Sequence, residues 1–175
     1  MARVRSFPPI EHASAHTLIL GTMPGAASLA ARQYYAHPRN AFWSILGELF
    51  GFDPRIDYAE RTRKVVDAGI AVWDVLRSCE RPGSLDSDID RGSIVANDFR
   101  QFFVRHSRID RVFFNGANAE ALYRRRVSGT LPRQASYTRL PSTSPAHASI
   151  ALSAKIEAWR VVTAASSDVL YAASR

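Results

Sequence analysis

The most informative part of the chain begins with Leu18-Ile19-Leu20-Gly21-Thr22-Met23-Pro24-Gly25. The three aliphatic residues predict a buried strand that ends in a Gly/Pro turn. A polar loop follows, Tyr34-Tyr35-Ala36-His37-Pro38-Arg39-Asn40, and after it apolar residues recur at helical spacing. This order places a flat stacking surface and polar side chains at the carboxyl end of a strand, where open α/β sheets bind ligands. A loop that stacks a ring and offers an amide group suggests a nucleobase site.

Three more segments predict strands, at residues 69–75, 111–115 and 137–140, in addition to residues 16–21. Each is short and apolar and is stopped by glycine, proline or asparagine. Helical patterns occur at residues 42–50, 99–103, 118–127 and 152–159, the last with Leu152, Ile156 and Trp159 on its apolar face. Strands that alternate with helices predict an α/β fold with a parallel sheet and helices on both faces. One domain is expected over residues 1–175, with its core at about residues 16–165.

The charge and cysteine content narrow the class of function. The chain has 23 lysine and arginine residues against 16 aspartate and glutamate residues, a net charge of +7 at pH 7. This surplus favours a polyanionic partner, nucleic acid first, although solubility alone is the simpler explanation. Cys79 is the single cysteine, so no intrachain disulfide, zinc cluster or iron–sulfur site can be built from it. Neither a metal nor a cofactor is expected.

Targeting signals are not evident in the sequence. Phe7-Pro8-Pro9 interrupts any apolar run at the start, and no stretch approaches the ~20 apolar residues of a membrane span. We therefore expect a cytoplasmic, nucleoid-associated monomer without a membrane partner.

Several polar and aromatic residues have both a structural and a functional explanation. Residues 21–25 allow close approach to a ligand or form a plain turn. Tyr34 and Tyr35 stack a base or form a small core beneath the loop. Asn40 precedes a helix, where asparagine commonly serves as an N-cap. Asp74 ends an apolar strand, where burial requires a partner, either backbone amides or the edge of a base.

Two further loops carry polar groups. The segment Leu140-Pro141-Ser142-Thr143-Ser144-Pro145-Ala146-His147-Ala148 leads from the last strand into the last helix, where hydroxyl groups and amides bind phosphate or cap the helix. A Ser/His nucleophile pair is disfavoured there, because no G-x-S-x-G motif is present and Pro145 separates the candidates. Residues 77–92 form a long polar connection of a kind that is often functional.

Several ordered motifs together resemble the uracil-DNA glycosylase superfamily, over about residues 17–161. The strongest segment is Tyr35-Ala36-His37-Pro38-Arg39-Asn40-Ala41-Phe42-Trp43, which resembles an aromatic-x-HPxNxFW signature. Residues 21–25 correspond to the first motif of the superfamily and residues 140–144 to the last, and residues 115–119 resemble the turn between them. The resemblance is strongest to the hypoxanthine-DNA glycosylase branch, often called family 6, and the mismatch-specific uracil glycosylases are near relatives.

The resemblance implies a three-layer αβα sandwich around a four-stranded parallel sheet. It also implies an enzyme that flips a deaminated base out of double-stranded DNA and hydrolyses its N-glycosidic bond. Tyr35 then stacks on the base, Asn40 is catalytic, and Asp74 contacts the base edge together with the backbone near Thr22 and Met23.

The loop residues are expected to contact the DNA itself. By the resemblance, Ser142, Thr143 and Ser144 bind the backbone and enter the duplex. His147 lies in the same loop, and His37 and Arg39 could face a phosphate or an abasic sugar.

Two positions depart from the pattern of the uracil-specific relatives. Met23 stands where those relatives place an Asp or Asn that orients the attacking water, and Leu140 stands where many have a His or Asn. Both departures favour hypoxanthine in deoxyinosine as the substrate. The alternatives are a uracil glycosylase acting on G·U or G·T mismatches and a non-catalytic protein that binds damaged DNA. Lys64 and Lys155, the only lysines, lie outside the motif loops, so a monofunctional enzyme is expected.

Overall fold

The computed structural model describes residues 3–127 and 135–164. Within these ranges it contains seven strands: β1 (Arg3–Arg5), β2 (Thr17–Gly21), β3 (Ile70–Asp74), β4 (Leu76–Glu80), β5 (Val95–Ala96), β6 (Arg111–Asn115) and β7 (Ser136–Leu140). The same ranges contain six α-helices: α1 (Ala26–Ala31), α2 (Phe42–Phe50), α3 (Tyr58–Asp67), α4 (Phe99–Arg105), α5 (Ala117–Arg126) and α6 (Leu152–Trp159). Short 3₁₀-helices lie at Asp86–Asp88, Pro145–His147 and Arg160–Thr163.

The central sheet has four parallel strands in the order β3-β2-β6-β7. Leu20 of β2 lies opposite both Trp73 of β3 and Phe114 of β6. The chain passes from β2 to β3 on one side and later adds β6 on the other side, so the strand order reverses at β2. The four strands predicted from the sequence are confirmed, with each end within one residue.

The core explains why these strands were visible in the sequence. Every residue of β2, β3 and β6 is buried, and a parallel strand that is buried on both faces is a continuous apolar run. Aromatic rings join the sheet to its helices, since Trp73 contacts Phe102 of α4 at 4.9 Å between ring centroids and Phe114 contacts Tyr123 of α5 at 5.2 Å. The helices flank the sheet in the αβα arrangement that the resemblance implies.

A second, smaller sheet was not predicted. It is antiparallel, with the order β1-β4-β5. The prediction of one long polar connection over residues 77–92 was therefore wrong at its start, where β4 pairs with residues 3–5 and 95–96. The pattern at Leu76, Ser78 and Cys79 is too short to indicate a strand, and its partners are distant in the sequence.

Three helical details differ from the sequence expectation. The helices α1 and α3 were not predicted, because α1 has six residues and α3 buries only Val65. In α6 the predicted apolar face is partly wrong, since Leu152 is 47% exposed whereas Lys155 is buried. The Lys155 Nζ group donates a hydrogen bond to the His147 carbonyl at 2.9 Å, which is how the helix accommodates the buried amine. The predicted end of α2 at Gly51 is confirmed, with φ of 71°.

Across residues 3–127 and 135–164, no helix has both the length and the apolar character needed to cross a membrane. In the same part of the chain, no group of three or more His, Cys, Asp and Glu side chains is arranged to hold a metal ion.

Candidate functional site

A cleft of about 720 Å³ opens at the carboxyl ends of the parallel strands, within the size range of small-molecule sites. It lies at the reversal of strand order, the position where α/β sheets bind ligands. Five segments line it: residues 21–28 after β2, residues 34–40 before α2, Asp74 with residues 84–87, residues 115–118 after β6, and residues 142–147 after β7. The structure therefore brings together the sequence-predicted site residues, which lie on three separate loops and at the end of β3.

Asp74 forms the floor of the cleft. Its side chain is only 3% exposed, and Oδ2 accepts a hydrogen bond of 2.7 Å from the Ser6 hydroxyl. Burial raises the pKa of Asp74 to about 7, with a further increase from the Asp86 carboxylate and an opposing effect from the Ser6 hydrogen bond and from Arg81. A carboxyl group of this kind exists in both protonation states near neutral pH, so it can accept or donate a hydrogen bond.

Gly21 separates Asp74 from Tyr35. A Cβ atom at Gly21 would lie 2.6 Å from Asp74 Oδ1 and 2.8 Å from the Tyr35 hydroxyl oxygen, closer than side chains can approach. The glycine is therefore required by the packing of the floor. The carbonyl groups of Gly21 and Thr22 accept hydrogen bonds from Val75 and Leu76. Thr22 and Met23 are both 8% exposed and line the cleft, and contact between the backbone of this turn and a base stays a prediction.

The two adjacent tyrosines have different environments. Tyr34 is 3% exposed, and its hydroxyl donates to the carbonyls of Phe7 and Pro8 at 3.3 and 3.1 Å. Tyr34 thus forms the small core that was one of the two interpretations. Tyr35 is half-buried and lines the cleft, with one ring face stacked on Phe42 at 3.8 Å between centroids and 20° between planes. Burial and the nearby Asp74 carboxylate raise the pKa of Tyr35, which keeps its phenol neutral.

Asn40 supports the start of α2. Ala41 is the residue at the N-cap position of α2, and it has no side-chain cap. Asn40, one residue earlier, accepts a hydrogen bond of 3.0 Å through Oδ1 from the N–H of Phe42, the first residue of the helix, so it satisfies a helix-start amide without being the N-cap residue. Because only the oxygen of the amide can accept this bond, the Nδ2 group is left as a donor, and Asn40 also lines the cleft. The neighbouring Ala41 N–H donates to the Thr143 carbonyl at 3.0 Å, which ties this loop to the loop after β7.

Asn115, at the end of β6, organises the loop after β7. Its Nδ2 group donates to Thr143 Oγ1 and its Oδ1 atom accepts from the Thr143 N–H, both at 2.9 Å. The Thr143 side chain is 1% exposed, so its bonds are committed to Asn115, and contact between this side chain and DNA stays a prediction. Gly116 has φ of 97°, and a Cβ atom at this position would lie 2.9 Å from Ser142 Cβ, too close for a side chain. Because glycine has no Cβ, the two loops can approach each other closely here.

The remaining predicted residues lie at the mouth of the cleft. His37 and Ser142 are half-buried, and Arg39 and His147 are exposed. The Ser144 hydroxyl accepts a hydrogen bond from the Ala146 N–H at 3.3 Å and so caps the 3₁₀-helix Pro145–His147. It does not cap the last helix, as the sequence suggested, because α6 begins after Ala151 without a side-chain cap. The roles of these residues in binding DNA stay predictions.

One wall of the cleft was not predicted as part of the site. Residues 84–87 lie over it, with Asp86 at the start of the 3₁₀-helix Asp86–Asp88. The Arg81 side chain is fully buried beneath, where NH2 donates to the Pro24 carbonyl at 2.6 Å and NH1 lies 3.8 Å from Asp86 Oδ1. Burial raises the pKa of Asp86, whereas neighbouring Thr22 and Arg81 lower it.

The missed residues differ in how far the sequence could have indicated them. Asn115 was visible as a polar residue at the end of a predicted strand, the same signal that identified Asp74. Asp86 had no such signal, because its loop is brought over the cleft by tertiary contacts, among them the bonds of Arg81 with Pro24 and of Ser84 with Ala26.

The comparisons with known proteins agree with this geometry. The family model described as "Uracil DNA glycosylase superfamily" matches residues 8–163. The chain belongs to the uracil DNA glycosylase superfamily. Within this superfamily it is 35% identical over 113 residues to a hypoxanthine DNA glycosylase of Methanosarcina barkeri (strain Fusaro / DSM 804), covering 64% of this chain and 70% of that protein. It is 32% identical over 116 residues to a hypoxanthine DNA glycosylase of Methanosarcina acetivorans, covering 66% and 72%.

A solved structure of the superfamily shows the same fold. It is a solution NMR structure from Methanosarcina acetivorans described as a "putative Uracil DNA glycosylase", with a TM-score of 0.73 and 28% identity, covering 93% of this chain and all of that one. Superfamily membership and these relatives support DNA glycosylase activity in DNA repair as the class of function.

Proposed function

We propose that the protein is a monofunctional DNA glycosylase that releases a deaminated base, hypoxanthine first, from double-stranded DNA. The observation that carries this proposal is the cleft itself, in which the open side of the stacked Tyr35 ring and the buried Asp74 carboxyl line one space. A flat base with a polar edge fits between such groups once it is flipped out of the duplex. The two relatives named as hypoxanthine DNA glycosylases support the choice of base.

Asp74 is the group that we propose to contact the base edge. Hypoxanthine presents a ring N–H donor beside a carbonyl acceptor, and a carboxyl group with a pKa of about 7 matches either atom. Tyr35, held by Phe42 on its other face, provides the stacking surface, which is worth about 1–3 kcal/mol per base. Met23, a thioether in the turn after β2, offers no group that could orient water in the manner of the uracil-specific relatives.

Asn40 is the residue that we propose to act on the leaving group. Its Oδ1 atom is occupied by the Phe42 N–H, so Nδ2 is the free end of the amide and donates to the departing base as negative charge develops there. An asparagine at this place can either position the attacking water or donate to the departing base, and the occupied Oδ1 atom favours donation. Removal of one such donor typically lowers kcat by about 10²–10³.

The lysines support the monofunctional mechanism. Lys64 is exposed on α3, and Lys155 is buried in α6 with its amine bonded to the His147 carbonyl. Neither residue lines the cleft, so neither amine is placed to form a Schiff base with the abasic sugar. Trapping of a covalent protein–DNA adduct by borohydride would overturn this part of the proposal.

The test is base release under single-turnover conditions from duplexes that carry deoxyinosine, deoxyuridine or deoxyxanthosine, with free base measured by chromatography. We expect hypoxanthine release to be the fastest. Release of uracil alone from G·U or G·T pairs would favour the mismatch uracil glycosylase, and tight binding of deoxyinosine DNA without release would favour a non-catalytic binding protein.

Matched variants separate the capping role of Asn40 from its catalytic role. Asn40→Asp and Asn40→Ser keep an oxygen that can cap α2 and remove the Nδ2 donor, so they should lose turnover while their Tm stays near that of the wild type. Asp98→Ala removes the cap of α4, where Oδ1 accepts from Gln101 N–H at 2.9 Å, and should lower Tm without a comparable loss of turnover. If the capping variants of Asn40 retain full base release, the catalytic assignment is wrong.

A further inference from the structure

The cleft contains two carboxylates at different depths. Asp74 forms the floor with 3% exposure, whereas the Asp86 side chain is 26% exposed and lies in the opposite wall. A base that enters with its edge on Asp74 leaves its sugar nearer the mouth. Asp86 is the more exposed of the two carboxylates that line the cleft, so in this arrangement it is the one on the side of the sugar and of the attacking water.

Hydrolysis requires an acceptor for a proton of that water. Asn40 Oδ1 accepts from the Phe42 N–H, and Asn115 Oδ1 accepts from the Thr143 N–H. Met23 has no polar hydrogen-bonding group of useful strength. Asp74 accepts from the Ser6 hydroxyl through Oδ2, and the proposed function uses this carboxyl group for the base edge. Among the described residues that line the cleft, Asp86 is the carboxylate left for the water.

The loop that carries Asp86 is anchored on both sides. The Asp90 N–H donates to the Glu80 carbonyl at 2.9 Å and closes the loop at its base. The Ser84 hydroxyl accepts from the Ala26 N–H at 2.9 Å and joins the loop to the start of α1. Catalytic groups act best when their surroundings hold them in place, and these bonds hold the 3₁₀-helix Asp86–Asp88 over the cleft.

Arg81 adds a buried positive charge behind the carboxylate. Its side chain has no exposed surface, and NH1 lies 3.8 Å from Asp86 Oδ1. Such a charge favours the ionised form of Asp86, the form that accepts a proton, and Thr22 and Asn118 beside the carboxylate act in the same direction. Burial acts in the opposite direction and is the largest of these effects on the pKa of Asp86.

We infer that Asp86 is a catalytic residue that positions and deprotonates the attacking water, with Arg81 as its positioning residue. This inference rests on the proposed glycosylase function. In the step, the bond between C1′ and the base nitrogen breaks and its electron pair leaves with the base, to which Asn40 donates. The water oxygen bonds to C1′, and its proton passes to the Asp86 carboxylate and then to solvent. The released base takes up a proton from solvent, which completes a balanced hydrolysis.

The test compares Asp86→Asn with Asp88→Asn in single-turnover base release from the deoxyinosine duplex. Asp88 lies in the same 3₁₀-helix but is exposed and does not line the cleft, so its variant removes the same charge as a control. We expect Asp86→Asn to lower the rate about 10²–10⁴-fold, the usual contribution of a general base. Its affinity for the duplex should change less than about threefold, because the bond that it affects forms only in the reaction.

Two more readouts distinguish chemistry from structure. Added formate should restore part of the activity of Asp86→Ala, because a small carboxylate can occupy the vacated position, whereas a variant that has lost only structure is not rescued. The wild-type rate should rise with pH as Asp86 ionises, and Asp86→Asn should lose this part of the dependence, whereas any part due to Asp74, with its pKa of about 7, should remain in Asp86→Asn and disappear in Asp74→Asn. Asp74, Arg81, His147 and Tyr35 are the other titratable or charged groups that face Asp86. An active wild type with fully active Asp86→Asn overturns the inference alone. A wild type that releases no base from any duplex overturns the proposed function and the inference with it.

Discussion

The two walls of the cleft are built in different ways. One consists of strand ends and the turns after them, with Asp74, Gly21 and Asn115 fixed by the parallel sheet. The other consists of residues 84–87, a loop joined to the rest of the cleft by a few polar contacts from Arg81 and Ser84. In the proposed mechanism the strand wall recognises the base and the loop wall directs the water. The difference indicates that recognition depends on backbone packing, whereas catalysis depends on how firmly the loop is held.

Of the substitutions in the strand wall, Asp74→Asn should have the largest effect. It should change the free energy of unfolding as well as the activity. The pKa of Asp74 is raised from its ordinary 3.8 to about 7, so between these values the folded protein holds a proton that the unfolded chain releases. The free energy of unfolding therefore falls as the pH rises through this window, by up to about 4 kcal/mol. The variant lacks this dependence and should be the more stable protein at pH 8, although its base release should fall.

Urea denaturation at pH 5 and pH 8 measures the effect. Asp88→Asn, at an exposed position of the loop wall, serves as the control and should keep the pH dependence of the wild type. If the free energy of unfolding changed equally between pH 5 and pH 8 in Asp74→Asn and in the wild type, burial of ionised Asp74 would not destabilise the folded protein and the prediction would be wrong.

Gly21→Ala should reduce base release by about 10²-fold. The added Cβ would lie 2.6 Å from Asp74 Oδ1 and 2.8 Å from the Tyr35 hydroxyl, and displacement of reacting groups by about 1 Å is sufficient for a loss of this size. Gly25→Ala is the matched control in the same turn, because its Cβ would lie 3.7 Å from Ser84, an ordinary contact. Equal activity of the two variants would show that the floor of the cleft adapts to an added methyl group.

Tyr35→Ala should weaken binding of the deoxyinosine duplex by about 1–3 kcal/mol, the contribution of one stacked base. Tyr35→Phe keeps the ring that stacks on Phe42 and should stay within about threefold of the wild type. Fluorescence anisotropy with damaged and undamaged duplexes of the same sequence measures both, and the loss should be confined to the damaged duplex. A similar loss of affinity for undamaged DNA would indicate that Tyr35 contacts the DNA backbone rather than stacking on the base.

Ser84→Ala should have the smallest effect and should act on the loop wall alone. It removes the hydrogen bond from the Ala26 N–H at 2.9 Å, worth about 1 kcal/mol. Hydrogen exchange of the Ala26 amide, measured by NMR, should become about fivefold faster, and base release should fall slightly while binding of the duplex is unchanged. An unchanged exchange rate would show that Arg81 holds the loop without this bond.

Much of the fold could be predicted because buried parallel strands are local signals. Each of the four strands of the central sheet is a short run ended by a turn, and the helix α2 has a regular apolar face that ends at Gly51. The antiparallel sheet was missed because β4 pairs with residues 3–5 and 95–96, and its own five residues alternate too briefly to indicate a strand. Lys155 was missed as a buried residue because a lysine on a helix face is usually exposed.

The candidate site could be predicted in part, because the strands that position it are local signals in the sequence. Residues that follow predicted strands, such as Asp74 and Thr22, could be placed at one edge of the sheet from their positions in the chain. Tyr34 and Tyr35 are adjacent and chemically identical, so only their packing shows that one belongs to the core and the other to the cleft.

The sequence by itself determined the parallel sheet, the edge at which the motifs meet and the family to which they are similar, because these follow from local apolar patterns and short motifs. Tertiary structure alone decided that Tyr34 is buried whereas Tyr35 lines the cleft, that Asp74 is bonded to Ser6 and that Asp86 lines the cleft. Each of these depends on contacts between a side chain and groups outside its own motif. Such contacts depend on how loops are folded over the strand ends, which no local pattern specifies.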